Sequence, residues 1–199
     1  MSLRLASHLR PAFVLTAVLT VLTGLAYPGL VTALAQALFP VQANGSLIVA
    51  NHRAIGSRLV GQPFTGDAYL RPRPSAAGGG YDANASAGSN KGPTDSTLAA
   101  QIAARVDSAV AQGATRGQVP ADLVTASASG LDPDLSPASA RLQAQRIATA
   151  RGVSPDTILA VITARITPRQ FGVLGEPRVN VLAVNLALDG LFHREGARP

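Results

Sequence analysis

The chain has 199 residues, 47% of them apolar and only 4% aromatic, with no cysteine, so it has room for one ordinary domain plus a small attachment and carries no disulfide, thiolate metal site or cysteine nucleophile. The formal charge is +6, and Lys91 is the only lysine among the 17 basic residues. Those residues run singly from Arg4 to Arg198 instead of gathering with aromatics on one patch, which excludes a nucleic-acid surface and predicts a solvated basic one.

In chain order, the first element is apolar. From Pro11 to Asn51 no acidic or basic side chain occurs, a stretch longer than the ~20 residues needed to cross a bilayer. Tyr27-Pro28-Gly29 interrupts it and predicts a kink near Tyr27 or a helix ending one turn later. A cleaved leader is the rival, with Ala35-Gln36-Ala37 as its small-x-small site, but the apolar run outlasts the usual 7–15 residue core of such leaders. Arg4 and Arg10 precede the segment without any acid, so residues 1–10 are expected in the cytoplasm, 11–36 as the transmembrane helix, 40–192 as an extracytoplasmic domain and 193–199 as a tail.

Beyond the span, Ser46 to Ala50 is β-prone, and Gly56 to Phe64 (GSRLVGQPF) reads as short strands with tight turns. Composition alone makes residues 71–95 a disordered loop. Helices follow. Thr94, Asp95 or Ser96 caps a segment with Leu98, Ile102, Val106 and Val110 at four-residue intervals, stopping at Gly113. Ser136-Pro137 and Ser154-Pro155 are N-cap and first-turn pairs that start helices running to Gly152 and to Pro168. Residues 179–189 fit a strand or a helix, with a helix from Val181 capped by Asn180 favoured. The fold class is therefore α/β (α+β), an extracytoplasmic domain preceded by one N-terminal transmembrane helix.

Catalytic and metal signals are missing. No G-x-x-x-x-G-K-[ST] loop occurs, position 88 is Gly where an S-x-x-K nucleophile would need Ser, and no G-x-S-x-G elbow is found. His8, His52 and His193 lie far apart without an i, i+4 partner. Asp132 and Asp134 flank a proline before a helix, where turn and dipole roles suffice.

The stretch DLVTASASGLDPDLSP, residues 122–137, has almost nothing to bury. Either it is a linker or its hydroxyls and carboxylates have partners. We expect Asp122 to Thr125 as an extended edge, a left-handed Gly130, and Asp132-Pro133 as the turn that delivers Ser136.

Taken together, Tyr27-Pro28, FPVQANGSL (residues 39–47), GSRLVGQPF, RPSA (73–76), YDANASAGSN (81–90), DLVTASASGLDP and LGEPRVNVLAVNLALD (174–189) resemble, in one order over nearly the whole chain, the C subunit of the Kdp potassium-transporting ATPase. The resemblance implies a non-catalytic, single-span accessory subunit of an inner-membrane pump. Its partners would be a channel-like potassium-translocating subunit, an ATP-hydrolysing P-type subunit, a small membrane peptide and membrane lipid. It further implies help in assembly and a raised ATP affinity of the hydrolysing subunit, with ATP implied by the family and no cofactor tightly bound. The chain departs from the family pattern at Ala87, where a second glycine is usual, and at Leu70, where an aromatic is usual. The family words make 71–95 an ordered loop and single out Arg73, Tyr81, Asp82 and Asn90 as partner contacts. Thr125, Ser127, Ser129, Gly130 and Asp132 join them at a docking surface for the channel-like subunit. A free-standing membrane-anchored enzyme or binding domain is the alternative.

Overall fold

The computed structural model describes residues 5–50 and 52–191; the expected tail at 193–199 lies outside them. The chain divides into two compact units, Met1–Leu47 and Ile48–Pro199. The fold is α+β with one N-terminal helix long and apolar enough to cross a membrane.

In the first unit, α1 (Leu5–Val21) and α2 (Tyr27–Leu38) are joined by a π-helical turn, Leu22–Ala26. His8–Leu38 is a 31-residue apolar helix, roughly 46 Å at 1.5 Å per residue. The expected break near Tyr27 is a change of register, and the helix continues for twelve more residues. Pro28 has no N–H to give and its ring would crowd the carbonyl of Gly24. The π turn opens that position, with Tyr27 N–H donating five residues back to Leu22 O. Past Leu38 the short α3 (Pro40–Ala43) is closed by Asn44, whose Nδ2 donates to Pro40 O at 2.7 Å and to Gln36 Oε1 at 3.1 Å.

In the second unit, β1 (Leu47–Ala50) pairs with β2 (Arg53–Ser57). The core sheet has the order β3 (Asp134–Leu135), β5 (Arg178–Asn180), β4 (Ile166–Thr167), all antiparallel, with Leu135 and Ile166 both opposite the buried Val179. Against it pack α6 (Pro137–Leu142) and α9 (Val181–Leu191), with α8 (Pro155–Thr163) packed on both of them and α7 (Ala144–Arg151) on α8 and α6. Ile147, Ile158, Ile162, Val184 and Leu188 are fully enclosed with Leu70.

The caps sit where sequence placed them. Asp95 accepts from Thr97 and Leu98 N–H at the start of α4 (Ser96–Ala111), Ser136 accepts from Ser139 N–H, Ser154 from Thr157 N–H, and Asn180 from Ala183 N–H. Two helices are shorter than expected. The run from Ala138 to Arg151 is interrupted at Gln143, and α8 ends at Thr163 because Ile166 and Thr167 are claimed by β5.

Residues 59–71 form no strand, contrary to the reading of GSRLVGQPF. Side chains supply what neighbouring strands would. Asn185 pairs with both N and O of Leu70 (2.8 and 3.0 Å), and Gln143 with both of Arg71 (2.9 and 3.0 Å). Arginines complete the work, which corrects the expectation that they are simply solvated. Arg146 donates to Asp67 O and Tyr69 O, while Arg151 donates to Ala68 O and Leu188 O, pairs with Asp189 and lies over the Tyr69 ring. Burial, with Arg71 nearby, pulls the Arg146 guanidinium down to about 10.

Candidate functional site

Two loops of unremarkable composition cross and lock. The first runs from Arg73 to Asn90 and has no helix or strand; the second is DLVTASASGLDP. Asp122 to Val124 is not extended but part of a single helical turn, α5 (Ala121–Val124). That turn aims the Asp122 carboxylate at the start of α6, where it accepts from Ser136 N–H at 2.8 Å, from Ser136 Oγ at 3.1 Å and from Ser139 Oγ. A carboxylate there also complements the helix dipole.

At the crossing, Ser75 Oγ donates to Gly130 O at 2.6 Å and accepts from Tyr81 N–H at 2.8 Å. Ser86 Oγ donates to Ser129 O at 2.9 Å, and Arg73 pairs with Asp132 at 2.9 Å. Gly130 is buried with φ +68, and a Cβ there would lie 2.5 Å from Ala87 O and 2.6 Å from Ala77 N. Only glycine allows that angle and that approach together. A Cβ on Gly88 would likewise meet Ala128 O at 2.8 Å. Ala87 is not among the left-handed residues, so the alanine where the family favours glycine causes no strain. Leu70, at the other departure, is a core residue.

The structure thus brings Arg73, Tyr81, Ser129, Gly130 and Asp132 together. The Tyr81 hydroxyl donates to Arg73 O, and burial pushes its phenol up to about 12, opposed by Arg105. Ser127 is buried, and its carbonyl accepts from Gly130 N–H. Thr125 Oγ1 turns back to Ala121 O at 2.7 Å. Asp82 accepts from Asn84 N–H and, with the left-handed Asn90 at φ +51, sits on the exposed side of the loop. Asp132 also accepts from Asp134 N–H. Burial raises the Asp134 carboxyl, opposed by its Asn180 hydrogen bond and by Arg178. These two acids serve a turn and two ion pairs.

Sequence reasoning missed Ser75, Ser86 and Arg105. Ser75 lies inside the R-P-S-A word and was findable; Arg105, which reaches from α4 to Val124 O at 2.8 Å, carries no local signal. Beside the crossing, a cavity of about 360 Å³ is bordered by Ser75, Ser89, Lys91, Gln101 and Arg105.

Residues 9–190 match the family model for the K+-transporting ATPase, c chain. The chain belongs to the KdpC family. A potassium-transporting ATPase KdpC subunit from Gemmatimonas aurantiaca is 64% identical over 92% of this chain and 93% of its own length. Subunits of the same name from Rhodospirillum rubrum and Acidobacterium capsulatum are 60% and 56% identical, each over 92% of this chain and over 96% and 98% of their own lengths. This KdpC-family chain is therefore a membrane-associated subunit of a potassium-transporting ATPase complex. The two locked loops and the Leu174 to Asp189 segment fall within the matched residues.

Proposed function

We propose that this chain is the non-hydrolysing accessory subunit of an ATP-driven, high-affinity potassium uptake pump. Its apolar helix spans the inner membrane with the N-terminus in the cytoplasm, and the folded unit lies on the opposite side, docked on the channel-like subunit. The P-type hydrolysing subunit and the small membrane peptide complete the assembly. The observation that supports this reading most is the loop crossing, which Ser75, Ser86 and the Arg73–Asp132 pair lock together, so that it presents a fixed surface to a partner. A surface of that kind binds at low ordering cost.

With the folded unit outside, assistance in assembly is direct, whereas a rise in ATP affinity is indirect, transmitted through the complex by linkage. The hydrolytic activity of the complex assembled with and without this chain tests it. The ATP concentration at half-maximal rate rises when the chain is absent; an unchanged value contradicts the role.

A second reading, direct contact with a nucleotide, is favoured by the cavity with Lys91 and Arg105, both able to face phosphate. The enclosed Gly130 has no room for a ligand. ATP binding to the isolated chain, lost in Lys91→Ala, distinguishes this reading. Turnover of a substrate by the isolated chain would instead support a free-standing anchored enzyme.

A further inference from the structure

Residues 168–177 join β4 to β5 and take no part in the crossing. Gln170 and Leu174 exchange backbone hydrogen bonds of 2.9 Å in both directions, closing Phe171, Gly172 and Val173 into a three-residue tip. Arg169 Nη2 donates to both Glu176 carboxylate oxygens, at 2.8 and 2.6 Å, and ties the base. Pro168 and Pro177 flank it and stiffen the chain on both sides.

Phe171 adopts φ +54, followed by Gly172 at +78 and Gly175 at +73. A bulky residue in this region carries backbone strain that glycine would not. The ring recovers none of that inside the chain, being 85% exposed, with Val173 at 72% and Leu174 at 56%. From Val60 to Gly190 these three are the only exposed large apolar side chains among the described residues. A strained, braced loop that gathers this apolar surface at one point has its use outside the chain.

We infer that Phe171, Val173 and Leu174 form an apolar anchor that seats in an uncharged recess on another protein subunit of the complex. The inference rests on the docked-subunit reading. A protein recess fits better than a bilayer surface for two reasons on the tip itself. Its only cation, Arg169, is neutralised by the exposed Glu176, and no Lys, Trp or Tyr accompanies the ring, whereas interfacial anchors combine such groups. The tip is also held in one shape, which a fluid lipid does not require and a protein recess rewards.

Co-purification of the complex through a tag on this chain tests the inference. Phe171→Gly deletes the ring and relieves the left-handed strain, so the chain unfolds at the same temperature or higher, while recovery of the partner subunits falls by about tenfold or more. Val173→Ser lowers recovery in the same direction. If both variants recover partners as the unsubstituted chain does, the anchor is wrong and the docked-subunit reading stands. If the unsubstituted chain recovers no partner, that reading falls and the anchor with it. A fluorophore on Gln170→Cys, the sole thiol of the chain, gives an independent readout. Protection from nitroxide-labelled lipid in the reconstituted complex supports the anchor, and strong quenching by it assigns the tip to the bilayer and overturns the inference.

Discussion

The loop crossing and the 168–177 tip are built from similar residue types and have opposite designs. Both contain left-handed glycines, both lack a long helix or strand, and both are held by an arginine–carboxylate pair. At the crossing, serine hydroxyls, Tyr81 and Asp132 turn inward, and backbone approaches so closely that Gly130 has no space beside its Cα. At the tip, backbone bonds between Gln170 and Leu174 close the turn, its apolar side chains are exposed, and Gly172 and Gly175 have open space around them. A positive φ therefore has two meanings in one chain. At Gly130 it serves internal packing, and at Phe171 it serves presentation.

Alanine at matched glycines separates the two. Gly130→Ala combines left-handed strain with overlap against two backbone atoms, and is expected to cost about 3 kcal/mol or more in a denaturation experiment on the chain. Gly172→Ala adopts a similar angle, φ +78, with nothing near its Cβ, and is expected to cost only about 1 kcal/mol. Equal costs would mean that the backbone approaches at the crossing are not maintained in solution.

A smaller effect sharpens the same contrast through pH. The neutral Tyr81 phenol is favoured in the folded state, its value raised from 10.0 to about 12 chiefly by burial. Its contribution is complete below pH 10 and is lost as pH rises toward about 12, because the unfolded chain releases the proton first. Stability compared at about pH 9 and about pH 11 should therefore fall less in Tyr81→Phe than in the unsubstituted chain. An identical fall in both would place the phenol in water.

Much of the fold was legible because its signals are local. A serine or aspartate followed by helix-forming residues caps the helix wherever the helix docks, so Asp95, Ser136, Ser154 and Asn180 were readable. Elements set by distant partners were not. Asp122 to Val124 coils because the Asp122 carboxylate is claimed by Ser136 and Ser139, and residues 59–71 stay irregular because Gln143 and Asn185 take the place of strand neighbours. Arg146 and Arg151 looked like surface charge because periodicity cannot reveal that carbonyls of residues 67–69 and 188 need donors. The family words marked the crossing as important, yet its internal economy, from Ser75 to Arg105, follows only from the fold.

The proposed docking depends most on which side of the membrane the folded unit occupies. The chain has no cysteine, and Ala111 is exposed at the end of α4, so Ala111→Cys gives a single reporter thiol. A membrane-impermeant maleimide added to intact cells should label it without permeabilisation. Labelling only after the cells are opened would put the unit in the cytoplasm and contradict both the proposed docking and the indirect route to ATP affinity.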